Sequence, residues 1–357
     1  MEKCNFIFII RKNPTMGIQG FWSFIVKNYY EAFTSLSDLS AFAGQTWAID
    51  TSIYMYKFAL KENYIEAFLQ QAADLQTWGI TPLYIFDGQR HPDKLHEHVR
   101  RREQARRYLE NAAVRTDLLA KLTAATNLSL DDARELLTTH VTDEVQKSLS
   151  NTAVAEMTGC DDVEIELDLT AVISKIRERH DRQESRVIKV PDENYHQLMQ
   201  IFHARNIAYC IAAGDAEKLG AQLCRTGRVQ ALVTDDGDAL AFGATVVIRN
   251  LFRPGKSGME AVSLYALLTL MQITQEQLID VAIICGCDYT ESRGLPGLGP
   301  NKALKVIQKY GSLQAFLASP EFTSKYESFD LNKFQHEQAR AIFMDDSNQL
   351  AFESNTT

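Results

Sequence analysis

Apolar and polar positions along this chain follow two alternating rhythms. Short apolar runs read as buried strands at Gly44–Asp50 (G-Q-T-W-A-I-D), Ile80–Asp87 (I-T-P-L-Y-I-F-D), Ile207–Ala213 (I-A-Y-C-I-A-A), Val229–Thr234 and Thr245–Arg249. Helical spacing follows Asp50 through Lys57, recurs from about Pro92 to Ala113, and returns at Ala216–Thr226 and Asp236–Ala241. Strands alternating with helices predict an α/β fold built on a mostly parallel sheet. The stretch Val114–Ser185 breaks the rhythm with helix-like, acidic and mixed-charge pieces, and predicts an insertion with its own helices. From Gln272 onward the pattern is helical, with one Gly/Pro-rich break.

Seven carboxylates sit where these strands and helices are expected to end: Asp50, Asp87, Asp215, Glu217, Asp236, Asp238 and Asp288. In open parallel sheets, ligands collect at the carboxyl ends of strands, and Asp50, Asp87 and Asp236 fall there. Singly, each is weak evidence, because an Asp after a strand is more often a turn former or helix N-cap. Gly214-Asp215-Ala216-Glu217 equally fits a helix start with acids favoured by the dipole. Only the set is persuasive. Gathered in one fold, so many acids repel unless cations lie between them. An oxygen-only ligand set suits Mg²⁺ or Mn²⁺, and two such ions about 3.5–4 Å apart form a phosphodiester-cleaving device.

Charge qualifies this reading. At 357 residues with a net charge of −9, the chain lacks the basic balance expected of a nucleic-acid enzyme. Seven of its acids belong to the candidate site, so contact with DNA must be local. Lys94 and Arg101 lie close to two helical turns apart, on one face of a helix that also carries Arg100, Arg102, Arg106 and Arg107. Such a helix is ordinarily a solvated basic face, but directly after a metal-bearing strand it can clamp a phosphate. In Gly294-Leu-Pro-Gly-Leu-Gly-Pro-Asn-Lys-Ala303, glycines precede a helix carrying Lys302, Lys305 and Lys309. That order favours backbone N–H groups and lysines on a DNA backbone, without base reading. The six cysteines are dispersed with no C-x-x-C pair, which supports neither zinc nor disulfides, and Cys285 and Cys287 are expected in the core. No apolar run reaches membrane-spanning length, and Phe6–Ile10 is too short for a signal-peptide core. An intracellular, non-secreted protein without a membrane partner is expected.

With these residues assembled, the chain resembles the flap endonuclease family, the XPG-type structure-specific 5′ nucleases. The resemblance rests on Met16–Gly20 (M-G-I-Q-G), Ala48–Tyr56 (A-I-D-T-S-I-Y-M-Y), Tyr84–Gly88 (Y-I-F-D-G), Thr234–Gly243 (T-D-D-G-D-A-L-A-F-G), Gly286–Tyr289 (G-C-D-Y) and the glycine hairpin. It implies a PIN-like twisted, mostly parallel sheet flanked by helices, with a helical arch and a helix–three-turn–helix DNA-binding element. The corresponding regions are an N-terminal extension (1–15), an N-terminal nuclease region (16–113), the arch insertion (114–185), an internal nuclease region (186–271), the helix–three-turn–helix region (272–325) and a C-terminal tail (326–357). The seven acids would hold two Mg²⁺, with Mn²⁺ able to substitute. Lys94 and Arg101 would orient the scissile phosphate, and Tyr56 would stack on the nucleotide beside the cut. Gly17 would lie near the site, and Arg186 and Lys189 would form the basic end of the arch. Gly297, Gly299, Lys302 and Lys305 would hold the duplex, with K⁺ at the hairpin carbonyls.

The implied activity is Mg²⁺-dependent cleavage of 5′ flaps or branched DNA in replication and repair, with 5′→3′ exonuclease action open. A junction resolvase and a catalytically silent junction-binding protein are the alternatives. DNA carrying a flap, nick or branch is the expected partner, the protein is expected to act as a monomer, and a nuclear location is compatible with the family. The chain departs from the family pattern in several places. Its acidic pair begins with Asp215 where Glu is usual, fifteen residues precede Met16, and the insertion exceeds a simple arch. No Q-x-x-[ILM]-x-x-[FY]-[FY] sliding-clamp motif follows.

Overall fold

A computed structural model describes residues 6–9, 17–59, 63–89, 94–124, 187–252, 258–292, 294–347 and 350–353. Residues 125–186, which take in most of the expected insertion 114–185 and also Arg186, lie outside the described residues. The chain divides into two units, one of Met1–Phe6, Asn13–Val99 and Val190–Thr357, the other of Ile7–Lys12 and Arg100–Lys189.

In chain order the strands are β1 (Phe6–Ile9), β2 (Phe33–Leu36), β3 (Thr46–Asp50), β4 (Thr81–Phe86), β5 (Val187–Val190), β6 (Tyr209–Ala212), β7 (Ala231–Val233), β8 (Val246–Arg249), β9 (Met259–Ser263) and β10 (Leu350–Glu353). The first unit carries an eight-stranded sheet, β10-β6-β4-β3-β7-β8-β9-β2. Its five central strands, β6 to β8, run parallel, and β10, β9 and β2 add antiparallel at the two sides. β1 and β5 form a separate pair.

All five apolar runs singled out in the sequence are central strands, because a parallel strand covered on both faces must be apolar nearly throughout. The pleat sorts their side chains. Tyr84 and Phe86 turn to one face, where they meet Phe68 of helix Tyr64–Thr77 and Phe202 of helix Asp192–Ala204; the Tyr84 and Phe202 rings lie 4.5 Å apart. Ala48, Ile85, Cys210 and Ala212 turn to the other and join the larger core with Leu219 of helix Ala216–Arg225. Small residues on that side bring the helix close: a Cβ on Gly220 would meet Leu232 Cδ1 at 2.5 Å.

Three strands of the sheet, β2, β9 and β10, escaped the sequence pattern. β2 is F-T-S-L with Thr34 and Ser35 exposed, the composition of an edge that needs no apolar run. β10 corrects the expectation of helix throughout the chain after Gln272. The region taken as a tail also supplies Phe334, Ala339, Ile342 and Phe343 to the core. The basic helix runs Leu95–Ala124, beyond the expected end at Ala113. Cys285 and Cys287 are buried free thiols, as expected. Among the described residues no single helix is long and apolar enough to cross a membrane.

One close approach fixes the ends of β4 and β6. Gly88 N–H donates to the Gly214 carbonyl at 2.8 Å and Gln89 N–H to that of Ala213 at 3.0 Å. A Cβ at Gly88 would overlap the Ala212 carbonyl oxygen. Gly88→Ala is therefore expected to destabilise the fold by roughly 1–3 kcal/mol, towards the upper end because the obstacle is backbone. Urea unfolding measures this, and an unchanged midpoint would refute it.

Candidate active site

The parallel strands all end on one side, and the chain leaves β3 for β4 in one direction and returns to β7 in the other. The crevice at such a reversal is where open α/β sheets bind ligands. Asp50 is the last residue of β3, Asp87 follows β4, Asp215 follows β6, and Asp236 and Asp238 follow β7. Glu217 lies in the first turn of helix Ala216–Arg225, and Asp288 follows helix Gln275–Cys285.

These acids are mutually within electrostatic reach. Asp50 feels Asp87 and Asp236, Asp87 feels Asp215, and Asp238 feels Asp236, Asp288 and Glu217. Asp87, Asp215 and Glu217 each offer one oxygen to a group whose atoms lie within 4.8 Å of one another. Backbone and hydroxyl donors hold the carboxylates in place. Asp50 Oδ1 caps its own helix by accepting Ile53 N–H at 3.3 Å, while Oδ2 accepts the Thr234 hydroxyl at 2.9 Å. Asp87 Oδ1 accepts Ala216 N–H at 2.8 Å, and Oδ2 accepts the Ser52 hydroxyl at 2.5 Å. Asp236 Oδ1 accepts Asp238 N–H at 2.8 Å.

Two features mark the site as built for cations. Lys94 Nζ lies 2.9 Å from Asp215 Oδ1 and 3.1 Å from Glu217 Oε1, and 4.9 Å above the Tyr289 ring. Burial works against its charge, but Asp215 and Glu217 outweigh that and raise its pKa well above the ordinary lysine value. Asp238 feels Lys94 only at a distance. It is 0% exposed, and neither carboxylate oxygen has a hydrogen-bond partner. Leaving a buried carboxylate unsatisfied is costly, so the donor set fits a bound metal ion and is poorly satisfied without one.

The remaining expected residues are spread more widely. Gly17, with φ at 68°, packs so closely on the acids that a Cβ would overlap Asp236 Oδ1 and lie 2.6 Å from Asp238 Oδ1. Tyr56 is only 4% exposed, so its ring presents no open face for a base. Arg101 belongs to the second unit, on the helix that Lys94 immediately precedes. The basic face of that helix is partly neutralised, since Glu103 pairs with Arg106 and Arg107, and Glu110 with Arg106. Lys189 lies in β5. Gly297, Gly299, Lys302 and Lys305 are exposed around the start of helix Pro300–Tyr310, with Leu295 and Leu298 buried beneath. Lys302 Nζ donates to the Gly297 carbonyl at 3.2 Å, whereas Lys309 is paired with Glu321.

The same geometry accompanies clear relatives. The XPG N-terminal domain matches residues 16–108, and the XPG I-region matches residues 206–288. The chain belongs to the XPG family. Flap endonuclease 1 of Naegleria gruberi is 27% identical over 347 residues, spanning 92% of this chain and 73% of the relative. That of Saccharomyces cerevisiae is 24% identical over 353 residues, spanning 92% and 75%. Among solved structures, the catalytic core of Rad2 in complex with DNA substrate aligns with TM-score 0.55 at 19% identity, over 93% of this chain and 86% of that one. Flap endonuclease-1 from Methanococcus jannaschii aligns with TM-score 0.52 at 18% identity, over 87% and 81%. These two structural likenesses establish the shared fold.

Within this XPG-family site, several supporting residues were not singled out in the sequence. Tyr289 donates to Asp215 Oδ2 at 2.7 Å, and Thr234 bridges Asp50 and the Asp236 N–H. Both adjoin recognised acids, Thr234 as the first residue of the T-D-D-G-D loop and Tyr289 just after Asp288, which was their only signal.

Burial first, and the charge of Asp87 second, push the Asp50 carboxyl from its ordinary 3.8 up to about 8. Burial followed by neighbouring acids also raises Asp87 and Asp238. A carboxyl whose pKa is raised by folding favours the folded state while protonated, and that contribution fades as pH climbs from the unfolded to the folded pKa. For Asp50 the interval runs from 3.8 to about 8. Metal-free protein should therefore melt at lower temperature near pH 9 than near pH 5, and Mg²⁺ should raise the midpoint more near pH 9, where the carboxylates are ionised. Calorimetry with and without Mg²⁺ checks this, and a metal effect larger near pH 5 would contradict it.

Proposed function

We propose that this chain is a structure-specific 5′ nuclease that hydrolyses phosphodiester bonds at 5′ flaps or branches in DNA. The observation that carries the reading is the convergence of seven carboxylates on one crevice, with Asp238 buried among them and unpartnered. Relatives named flap endonuclease 1 align along 92% of the chain, which supports it. An all-oxygen donor set fits two Mg²⁺ ions, with Mn²⁺ substituting. Asp87, Asp215 and Glu217 would hold one ion, and Asp236, Asp238 and Asp288 the other, beside Asp50. Bound there, the ions would supply Lewis acidity toward the phosphate and a nucleophile at neutral pH.

The chain's own residues do the rest. Lys94 is a tethered cation that neutralises Asp215 and Glu217 here. When those acids are otherwise neutralised, its ammonium is free to turn to a phosphate oxygen and offset the charge that develops there. Gly17 keeps the rim of the acids clear, because a side chain at that position would occupy the space against Asp236 and Asp238. The exposed hairpin and the start of helix Pro300–Tyr310 would grip the duplex backbone through Gly297 and Gly299 N–H groups with Lys302 and Lys305. A K⁺ ion among the hairpin carbonyls belongs to the same reading, and it would displace the Lys302 ammonium from the Gly297 carbonyl. Stacking by Tyr56 would require its buried ring to be uncovered.

A 5′-labelled double-flap DNA tests the reading, incubated with and without Mg²⁺ alongside Asp238→Asn. Release of a short labelled flap by the wild type with Mg²⁺ alone is expected, with Asp238→Asn bound to DNA but inactive. Single-nucleotide release would make it an exonuclease, and tight binding without product would make it a silent junction binder. Lys302→Ala is expected to weaken binding uniformly across sequences and to reduce the slope of log affinity against log salt by about 1. An unchanged slope would remove Lys302 from the backbone contacts.

A further inference from the structure

The T-D-D-G-D loop carries three aspartates, and they face different ways. Asp236 and Asp238 turn toward the other acids, whereas Asp235 turns away from them. Its carboxylate Oδ2 lies 2.7 Å from Lys57 Nζ, and Oδ1 accepts the Asn250 N–H at 3.1 Å. Its carbonyl accepts the Trp22 indole N–H at 2.7 Å.

Each of these partners comes from a different element that borders the acids. Lys57 lies on helix Thr51–Phe58, the helix that Asp50 caps, and its ammonium also sits 4.5 Å above the ring of buried Tyr54. Asn250 immediately follows β8, next in the sheet to β7, in a left-handed conformation at φ 55°. Trp22 lies in the first turn of helix Phe21–Asn28, after the N-terminal turn that places Gly17 on Asp236 and Asp238. That turn also reaches across to the Asp288 side, where Gln19 N–H donates to the Gly286 carbonyl at 3.1 Å. A Cβ at Gly237 would lie 3.6 Å from the Trp22 indole nitrogen, so the turn rests directly on the loop.

We infer that Asp235, paired with Lys57, is a positioning residue that fixes the distance between the Asp50 helix and the Asp236–Asp238 loop and keeps those two carboxylates aimed at the cation site. A one-residue rotation of the loop would exchange the inward and outward aspartates. The outward ion pair, the Asn250 N–H and the Trp22 indole together oppose it. Supports of this kind typically change metal affinity or turnover about 10–100-fold when removed. The inference rests on the metal-dependent nuclease reading above.

The test measures Mn²⁺ binding by the DNA-free protein, from the electron paramagnetic resonance signal of free Mn²⁺, together with kcat and KM on the double-flap DNA. Lys57→Met, Asp235→Asn and Lys57→Arg are compared with wild type, and thermal midpoints confirm folding. Lys57→Met and Asp235→Asn should weaken Mn²⁺ binding about tenfold or more and lower kcat with little change in KM, and Lys57→Arg should recover most of the loss. Wild-type Mn²⁺ binding in both variants would overturn the inference, whether or not stability fell. So would a raised KM with metal binding intact, since that would make Lys57 a DNA contact. If the wild type neither binds Mn²⁺ nor cleaves, the nuclease reading fails and takes this inference with it. Failure of the variants alone to differ rejects only the positioning role.

Discussion

Mutual repulsion among buried carboxylates is the constraint around which this molecule is arranged. Asp50, Glu217 and Asp238 are all buried, and each feels at least two other acids of the site. Charges so placed are tolerated only where donors or cations answer them. The fold supplies donors from the start of two helices: Ile53 N–H serves Asp50, and Ala216 N–H serves Asp87. It supplies one cation, Lys94, to the Asp215–Glu217 pair. It brings Lys94 within electrostatic range of Asp238, whose oxygens accept no hydrogen bond. The site thus combines a direct cation contact at Asp215 and Glu217 with an unsatisfied buried carboxylate at Asp238, where a bound ion would complete the structure.

The sheet makes that concentration of charge possible. Parallel strands deliver their carboxyl ends to the same side, and the reversal between β3 and β7 opens the crevice there. The two faces have different duties. Large aromatics on one face hold the sheet rigidly to helices Tyr64–Thr77 and Asp192–Ala204. Small residues on the other let helix Ala216–Arg225 approach β7 closely enough for Glu217 to reach the acids. Gly88 performs the same service between β4 and β6, so that Asp87 and Asp215 can share a cation.

The central strands and their terminal acids were legible in the sequence because burial on both faces forces a continuous apolar run, and each run ends abruptly at an acid. β2, β9 and β10 were not, because strands at or next to the ends of the sheet tolerate Thr34, Ser35 or Glu260 and lose the signal. The basic helix read as more positive than it is, since Glu103 and Glu110 lie at the spacing that pairs them with Arg106 and Arg107. Tyr56 read as a stacking ring from its motif, and nothing local could show that the ring would be covered. Contacts between remote segments, such as Lys57 with Asp235 or Tyr289 with Asp215, have no local pattern at all.

Asp50 also shows why the plain reading of a strand-end aspartate and the functional one need not compete. It is a helix N-cap, as an aspartate at that place most often is. Capping uses one lone pair of Oδ1, and the Thr234 hydroxyl uses one of Oδ2, whereas an ionised carboxylate offers about four acceptor sites. Each oxygen therefore keeps capacity for a cation, and the capping bond fixes where that capacity points. Asp87 follows the same logic with Ala216 and Ser52. A cap of this kind is what orients the ligand, so the local signal that makes such an aspartate look ordinary is part of what equips it for the site. Asp238 lies at the opposite extreme, with no cap and no hydroxyl, and it depends most on what binds beside it.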